Sequence, residues 1–370
     1  MTLIMILVAR NHIEQHTAPL SSGYFTEFWR VFQTSKLPVI PNENDKRQKI
    51  LLITHGRSGS TFTADILSSN SDVFYIFEPL YKTCIRHTGK DLLITDNGIK
   101  DRNVKPNMTS YKEEVYNVIK SFFNCNISHL PLPALQNPLL FLRPSTWNFT
   151  NCLKHSNNSV STCIKDFESK CREKSKILIK TIRYPISILH NQMLTDPQLY
   201  VIYLIRDPRG TISSQIMNFK SFSFTRVGYA AQRICESMDN EIKVIRKLHA
   251  LFPNRIKVVR YESLAFQPMK KTKEMFKFLK FNMTLKNLEF IQGRVGKKNS
   301  CNVGCSVRTN SKLAAYRWRK RIASASSFKI DKHCLNVYDK MCYISTKSVK
   351  DLRNDKFPLM KSCGFEGYRI

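Results

Sequence analysis

The sequence predicts an α/β fold with a central, mostly parallel sheet flanked by helices. Two observations predict it: short apolar runs recur along the chain, each ending in a turn, and helical patterns fill the intervals between them. Strands that alternate with helices favour a parallel sheet with helices on both faces. At 370 residues, the chain is long enough for one large domain with a substantial core.

Five apolar runs bounded by turn residues are the predicted strands, and an amphipathic helix is predicted at 268–279. The first and the fourth run are near-continuous Ile, Leu, Val and Tyr, a composition that favours strands buried in a sheet. The strands are predicted at 49–55, 73–78, 176–182, 199–205 and 255–260.

Two segments are set apart from this pattern. Residues 1–48, with Pro38 and Pro41 before the first strand, predict an N-terminal stem or truncated anchor region ahead of a domain over 49–370. The first nine residues are apolar but far too few to span a bilayer, and they lack the basic start of a signal peptide. The stretch of about 84–175 is rich in Asn, Ser, Pro and Cys, which predicts a loop and helical insertion.

The turn after the first strand is the most informative segment of the chain. The sequence H-G-R-S-G-S-T-F occupies 55–62, and Thr61 opens an amphipathic segment with Phe62 on its apolar face. Backbone N–H groups that converge at a helix N-terminus bind phosphate-like dianions, through unpaired donors and the helix dipole. The loop taken alone is a weak motif, because an ordinary βα turn explains it about equally well.

This loop differs from the loop of kinases and NTPases. Their pattern G-x-x-x-x-G-K-[ST] has a Lys after the second glycine, which contacts the β- and γ-phosphates. Here Ser60 follows that glycine, and the only cation within the loop is Arg57. A nucleotide kinase remains an alternative, although the chain lacks the lysine that a γ-phosphate would need.

A second candidate anion loop follows the fourth predicted strand. It reads R-D-P-R-G-T-I-S-S, with Pro208 suited to a first helical turn and Asp207 to an N-cap. A helix beginning near Pro208 would place Ser214 about two turns beyond Arg206, so that both side chains could reach one phosphate group. Ligands of doubly wound sheets bind beyond the carboxyl ends of the strands, where two such loops meet.

The two loops together resemble the motifs of sulfotransferases that use 3′-phosphoadenosine 5′-phosphosulfate (PAPS). The first resembles the family's 5′-phosphosulfate loop, and the second its 3′-phosphate motif. The chain is most similar to the Golgi carbohydrate 6-O-sulfotransferases, over roughly residues 49–368. Three further stretches carry that similarity: V-F-Y-I-F-E-P-L at 73–80, R-Y-E-S-L-A-F-Q-P at 260–268, and the C-terminal W-R at 318–319 with C-G-F-E-G-Y at 363–368.

The resemblance implies a function and a set of binding residues. It implies a P-loop-like sulfotransferase fold and transfer of a sulfuryl group from PAPS to a sugar hydroxyl, without a metal. The acceptor would be the 6-hydroxyl of galactose, N-acetylglucosamine or N-acetylgalactosamine, and these three stay open. The implied PAPS-binding residues are Arg57, Ser58, Gly59, Ser60, Thr61, Phe62, Arg206 and Ser214.

Two residues are predicted to act in catalysis. Arg57 is expected to stabilise the charge that develops on the leaving diphosphate. Glu78, at the end of the second predicted strand, is the first candidate for the base, because several Golgi sulfotransferases have a Glu in such a place. About as good an explanation is a structural role, in which Glu78 binds a nearby Arg or N–H group. His55, directly before the loop, is the alternative base.

The charge of the chain predicts an anionic partner. Lys and Arg number 59 against 28 Asp and Glu, a formal net charge of +31, and no acidic residue occurs over 293–321. Such charge attracts polyanions, although a run of basic residues is usually only a solvated face. No recognised nucleic-acid-binding motif is present, so an anionic glycan or glycosaminoglycan, and no nucleic acid, is the expected partner.

Cysteines and glycosylation motifs predict the secretory lumen. The chain has eleven cysteines, several of them in local groups, which favours disulfides over a zinc site because no four ligands occur in matched pairs. The groups are Cys152/Cys163/Cys171, Cys301/Cys305 and Cys334/Cys342, and the odd total leaves a free thiol or an intermolecular bridge. N-x-[ST] sequons, which predict a glycoprotein, begin at Asn107, Asn126, Asn148, Asn157 and Asn282.

The resemblance also implies a location in the Golgi lumen with a type II membrane anchor, and it is compatible with a homodimer. Because no full transmembrane segment is visible in the sequence, the Golgi prediction rests on the family resemblance, the cysteines and the sequons. A second alternative to the enzyme is a non-catalytic protein that binds anionic glycans on the same fold.

Overall fold

A computed structural model describes residues 46–88, 108–155, 159–218, 227–296 and 311–364. Almost all of the predicted N-terminal stem lies outside the described residues. So do the Cys301/Cys305 group and the sequons at Asn107 and Asn157. Within the described part of the chain, no helix is long and apolar enough to cross a membrane.

The described chain is built on a sheet of five strands, and every pair of neighbouring strands is parallel. The strand order is β2-β3-β1-β4-β5, so β1 lies at the centre and β2 and β5 lie at the edges. The prediction of a mostly parallel sheet is therefore confirmed. The strands are β1 (Gln48–Thr54), β2 (Val73–Phe77), β3 (Lys176–Thr181), β4 (Leu199–Ile205) and β5 (Ile256–Arg260).

Helices connect the strands and cover both faces of the sheet. The helices before β4 are α1 (Ser60–Leu67), α2 (Tyr81–Thr88), α3 (Met108–Phe123), α4 (Leu132–Leu135), α5 (Pro144–Lys154), α6 (Val160–Arg172) and α7 (Leu189–Thr195). After β4 follow α8 (Pro208–Asn218), α9 (Val227–Leu251), α10 (Tyr261–Phe266), α11 (Pro268–Phe278) and α12 (Leu285–Gly296). The last are α13 (Ser311–Tyr316), α14 (Trp318–Arg321), α15 (Ser324–Met341) and α16 (Val349–Arg353), and short 3₁₀ turns lie at Pro138–Leu142 and Ile186–Ile188.

The central strand is buried on both of its faces. Leu51 and Ile53 belong to one apolar core, while Ile50 and Leu52 belong to a second core on the opposite face. The first core is covered by side chains of α3, α9 and α15, and the second by α1, α11 and the segment that follows β5. Because side chains alternate along a strand, one apolar run supplies both cores.

The predicted insertion is mostly helical where it is described. Helices α3 to α6 fill it, and α3 packs into the first core through Val115, Ile119 and Phe122. Two disulfides hold its helices together, Cys125–Cys171 and Cys152–Cys163. The insertion is thus a cross-linked helical layer against one face of the sheet.

The other two described disulfides correct one predicted grouping. Cys334 pairs with Cys235, and Cys342 pairs with Cys363, so Cys334 and Cys342 are not partners. Cys334 lies within α15, whereas Cys342 ends that helix in a left-handed conformation with φ 58°. Four disulfides among the described residues agree with the sequence preference for bridges over a zinc site.

Candidate active site

The loop between β1 and α1 has the backbone geometry of an anion-binding turn. Arg57 and Gly59 have positive φ angles of 70° and 88°, and Gly59 is the N-cap of α1. Alternation of left-handed and right-handed residues turns successive N–H groups toward one point. No side chain caps α1, and its first intrahelical bond runs from the Thr63 N–H to the Gly59 carbonyl. The N–H groups of the first turn are therefore directed outward, as anion binding requires.

The loop between β4 and α8 is buried and held by hydrogen bonds. Asp207 accepts a hydrogen bond from the backbone N–H of Arg209 at 2.9 Å, as an N-cap at the predicted position does. The same carboxylate binds the Arg209 guanidinium at 2.8 Å, and both side chains are fully buried. This pair fixes the start of α8 and thereby the neighbouring Arg206.

The two loops meet at Arg57. The Nε of Arg57 donates to the Ser214 hydroxyl at 3.2 Å, and the Nη1 of Arg206 donates to the Arg57 carbonyl at 2.9 Å. A third link runs from the Gln215 side chain to the Gly56 carbonyl at 2.8 Å. The loops can meet because β1 and β4 are adjacent, with Thr54 opposite Leu204 at their carboxyl ends. The sequence prediction that both loops share one edge of the sheet agrees with these contacts.

The remaining predicted residues of the first loop differ in what they offer a ligand. Ser60 is buried and Thr61 half-buried, each at the start of α1. Ser58 is fully buried, with its hydroxyl 3.5 Å from that of Thr211. The Phe62 ring packs in the second core, so only its backbone N–H can face an anion.

Arg206 has the properties expected of a residue that binds an anion. Its guanidinium donates to the carbonyls of Arg57 and Ala315, and its Nε is buried without a hydrogen-bond partner. A buried polar atom that lacks a partner is costly, and a bound anionic oxygen would satisfy it. The donor set of these two loops, which combines guanidinium, hydroxyl and backbone N–H groups, fits a ligand with two anionic groups.

Sequence reasoning assigned no role to Tyr261, which follows β5 and supports both loops. The Tyr261 ring lies so close to Gly59 that a Cβ added there would come within 2.2 Å of the ring. The Arg206 guanidinium lies over the same ring, 5.0 Å from its centroid. Glycine is thus required at position 59 by both the positive φ angle and the aromatic contact. The stretch R-Y-E-S-L resembles the family in sequence, but the contacts of Tyr261 depend on the tertiary structure.

The next residue, Glu262, is fully buried and contacts the loop between β4 and α8. It accepts hydrogen bonds from the Asp207 backbone N–H and from the Tyr343 hydroxyl, both at 3.0 Å. Burial and the negative charge of Asp207 raise the pKa of Glu262 to about 7, against the lowering effect of Arg206. Glu262 therefore holds the backbone of Asp207, the last residue of the loop before α8.

Glu78 lies just after β2 and is bound by two cations. Its carboxylate forms ion pairs with Lys180 and with Arg183, the latter at 2.6 Å, and it accepts from the Ile182 N–H at 3.3 Å. The side chain is only 2% exposed, and its backbone has a positive φ of 52°. The insertion supports this conformation, because the Asn137 amide donates to the Glu78 carbonyl at 2.8 Å.

Charge around Glu78 outweighs its burial. Burial raises the pKa of the carboxyl, but the charges of Lys180 and Arg183 bring it below the usual value. Burial in turn lowers the pKa of Lys180, partly offset by Glu78. The structural alternative given for Glu78, a nearby Arg or N–H group, fits these contacts, but the sequence named neither Arg183 nor Lys180 as the partner. A lysine at the carboxyl end of the otherwise apolar run K-I-L-I-K-T-I was the available signal.

Comparison with known proteins identifies the family. The sequence profile of the sulfotransferase domain matches residues 47–342, most of the chain. The chain belongs to the sulfotransferase domain family. This result confirms the resemblance on the two loops and favours sulfuryl transfer over the kinase alternative.

Relatives of this sulfotransferase are similar along most of their length. Carbohydrate sulfotransferase 1 of Danio rerio is 26% identical, over 89% of this chain and 85% of its own. Carbohydrate sulfotransferase 4 of Mus musculus is 22% identical, over 86% of this chain and 88% of its own. Among solved structures, the sulfotransferase domain from the Synechococcus PCC 7002 olefin synthase is 17% identical, with a TM-score of 0.45, and covers 82% of this chain and 98% of its own.

The alternative base of this sulfotransferase, His55, is part of a different cluster. Its Nε2 lies 3.1 Å from the Glu241 carboxylate, which also accepts from the Tyr203 hydroxyl at 2.9 Å and the Ser237 hydroxyl at 3.0 Å. His55 is buried, and Glu241 links it to helix α9. These contacts hold His55 in the interior of the described chain. In the described part of the chain, no group of three or more His, Cys, Asp or Glu side chains could hold a metal ion.

Proposed function

We propose that this sulfotransferase transfers the sulfuryl group of PAPS to a sugar hydroxyl of a glycan or glycosaminoglycan. The acceptor position is the 6-hydroxyl of galactose, N-acetylglucosamine or N-acetylgalactosamine. The observation that carries the proposal is the junction of the two loops at Arg57, with Ser214 on one side and Arg206 on the other. The similarity to proteins named carbohydrate sulfotransferases supports a sugar acceptor.

The donor side uses both loops. The N–H groups at the start of α1 and the Arg57 guanidinium bind the 5′-phosphate, with the hydroxyls of Ser60 and Thr61 as further donors. Arg206 and Ser214 bind the 3′-phosphate. When bound, PAPS supplies the sulfuryl group, and its diphosphate portion becomes more negative as the bond to sulfur breaks. Arg57 and the N–H groups are already oriented toward that charge, so they stabilise the transition state.

The acceptor side is the neighbourhood of Glu78. A proton must leave the sugar hydroxyl as its oxygen attacks sulfur, and Glu78 is the proposed base. Its lowered pKa keeps the carboxylate ionised near neutral pH, ready to accept a proton, although it makes the carboxylate a weaker base. Lys180 and Arg183 hold the carboxylate oxygens in place. Because Lys180 belongs to β3, between β2 and β1, it lies on the side of Glu78 that faces the Arg57 loop.

The acceptor is proposed to carry negative charge of its own. A formal net charge of +31 raises the local concentration of polyanionic glycans, and it does so without any specific contact. Disulfides form and persist in oxidising compartments, which supports a site of action in the Golgi lumen. Membrane anchorage and dimerisation are parts of the proposal that rest on family resemblance alone.

Transfer of ³⁵S from labelled PAPS to defined glycans tests this function. The panel contains keratan-type galactose, terminal N-acetylglucosamine and chondroitin-type N-acetylgalactosamine, and label is expected at C6 of one of them. Binding of 3′,5′-ADP is measured in parallel. Binding without transfer to any glycan would support the non-catalytic alternative, and absence of both would overturn the donor site as well.

A further inference from the structure

Three glycosylation sequons lie in the described part of the chain, at Asn126, Asn148 and Asn282. All three asparagine side chains are exposed. Asn126 and Asn282 lie outside helices and strands, whereas Asn148 lies inside helix α5. Accessibility alone therefore does not distinguish the three sites, but backbone conformation does.

The Asn126 sequon forms a turn in which the hydroxyl reaches the asparagine. The Ser128 Oγ donates to the Asn126 Oδ1 at 3.3 Å, and the Ser128 backbone N–H is held by Glu168 at 3.2 Å. A short polar side chain that bonds to a residue two positions away is typical of Asx and ST turns. This arrangement presents the Asn126 amide nitrogen to solvent beside the hydroxyl that the sequon requires.

The Asn282 sequon occupies the connection between α11 and α12. The Phe281 ring is buried, and the Thr284 hydroxyl donates to the Asn287 side chain at 2.7 Å. The chain is thus fixed on either side of Asn282, and the asparagine itself remains exposed in irregular backbone.

The Asn148 sequon is constrained differently. Thr150 is buried, and its hydroxyl donates to the carbonyl of Trp147 at 2.9 Å and to that of Thr146 at 3.3 Å. Residues two apart on a helix do not face each other, so the Asn148 and Thr150 side chains diverge. The Thr150 hydroxyl is therefore buried within the helix and directed away from Asn148, whereas Thr284 of the Asn282 sequon is exposed.

The two sequons that lie outside helices, at Asn126 and Asn282, are both near the amino ends of the strands. The Arg47 guanidinium donates to the Asn124 carbonyl at 3.2 Å, and the Gln48 side chain donates to the Leu279 carbonyl at 3.0 Å. Both contacts surround the amino end of β1. The anion-binding loop leaves the carboxyl end of this strand, which is roughly 20 Å away at the usual rise per residue.

We propose that Asn126 and Asn282 carry N-linked glycans at the amino edge of the sheet, and that Asn148 carries none. In the modification, the amide nitrogen forms a bond to the anomeric carbon of an oligosaccharide carried on a polyprenyl diphosphate. The bond from that carbon to the diphosphate breaks, the diphosphate leaves with the electron pair, and the amide loses one proton. The proposal needs the luminal compartment but not the transferase activity, so each can fail separately.

The test is site mapping on the full chain, secreted from cultured animal cells behind a cleavable signal peptide. Peptide N-glycosidase in ¹⁸O-water converts each glycosylated Asn to a heavy-oxygen Asp, which mass spectrometry locates. The label is expected at Asn126 and Asn282 and not at Asn148. Absence of label from either loop sequon, or enzyme-dependent label at Asn148, would overturn the proposal.

Substitutions provide a second readout on the same protein. Asn126→Gln and Ser128→Ala should each remove one mobility step on a denaturing gel, as should Asn282→Gln. Asn148→Gln is the matched control and should leave the pattern of the parent chain unchanged. Since the wild-type mapping needs no variant, a variant that fails to fold leaves the proposal testable.

Discussion

Glu78 and Glu262 are two buried carboxylates that lie beyond the carboxyl ends of the two outermost strands of the sheet. Glu78 follows β2 and Glu262 follows β5, which are the two edge strands, and the anion-binding loops lie between them on β1 and β4. Both side chains are almost completely buried. Nevertheless, the pKa of Glu78 is lowered and that of Glu262 is raised to about 7.

The difference lies in the neighbouring charges. Lys180 and Arg183 form ion pairs with Glu78, whereas Glu262 accepts hydrogen bonds from the Asp207 N–H and the Tyr343 hydroxyl, and the negative charge of Asp207 beside it is only partly offset by Arg206. Both carboxyl groups are buried, but their pKa values move in opposite directions. Glu78, on the proposed acceptor side, stays ionised near neutral pH, whereas Glu262, beside the loop that is proposed to bind PAPS, is readily protonated. Burial alone does not reveal the role of an acidic residue.

The largest expected effect comes from Glu78→Gln. Loss of a general base should lower turnover by about 10²–10⁴-fold, while the dissociation constant of 3′,5′-ADP stays near that of the wild type. Turnover in the ³⁵S assay and calorimetric binding measure the two quantities. Glu113→Gln, at an exposed position on α3, is the control and should change neither.

The same variant separates the two roles considered for Glu78. Wild-type turnover would exclude Glu78 as the base. Parallel loss of turnover, 3′,5′-ADP binding and melting temperature would instead indicate a structural ion pair with Lys180 and Arg183.

Glu262→Gln should alter how stability depends on pH. Since the folded-state pKa is raised from 4.5 to about 7, the wild type binds more protons folded than unfolded and loses stability as pH rises between these values. This loss is on the order of 3 kcal/mol. The glutamine variant should lack this contribution, so its melting temperature relative to the wild type should rise from pH 5 to pH 7.5. A constant difference would contradict the raised pKa.

Lys180→Met tests the cause of the lowered pKa of Glu78. Removing one of the two neighbouring cations should raise that pKa, since only Arg183 then remains to lower it. If Glu78 acts as the ionised base, the acid limb of the turnover profile shifts to higher pH by the same amount. Lys180→Arg keeps the charge and should leave the limb in place. If the acid limb of the turnover profile does not move in Lys180→Met, the ion pair of Lys180 with Glu78 does not influence the proton transfer.

The smallest effect is expected from Ser214→Ala. Ser214 lies on α8, which follows β4, between the strands that precede Glu78 and Glu262. Loss of one neutral hydroxyl should weaken 3′,5′-ADP binding by about fivefold, or about 1 kcal/mol. Binding of 5′-AMP, which has no 3′-phosphate, should change less, and calorimetry with both ligands measures the contrast. Equal weakening of the two ligands would place Ser214 at the 5′-phosphate instead. Ser213→Ala, the neighbouring buried serine, is the matched control.

Much of the fold could be predicted from the sequence because its signals are local. The fourth strand ends at Ile205 as predicted, and α8 begins at Pro208 with Asp207 as its cap. Each of the other predicted strands differs from the observed one by a single residue, at both ends for β1 and at one end for β2, β3 and β5. The predicted site residues Arg57, Arg206 and Ser214 contact one another directly or through the Arg57 backbone, although the role of each in catalysis or binding stays a prediction.

Contacts between distant segments could not be predicted in this way. The Cys235–Cys334 bridge joins residues 99 positions apart, and it replaces the local grouping of Cys334 with Cys342. The contact of Tyr261 with Gly59 and the ion pair of Lys180 with Glu78 likewise join separate strands. No local pattern encodes which side chains the sheet order brings together.

The sequence by itself determined the strands, the two loop motifs and the chemistry that those loops suggest, because periodicity, capping and turn residues act over a few positions. Only the tertiary structure decided the protonation of the two buried carboxylates and the packing that holds the loops together. The reason is physical: a pKa depends on the burial and charges around a group, and those are set by residues that the folded sheet places nearby.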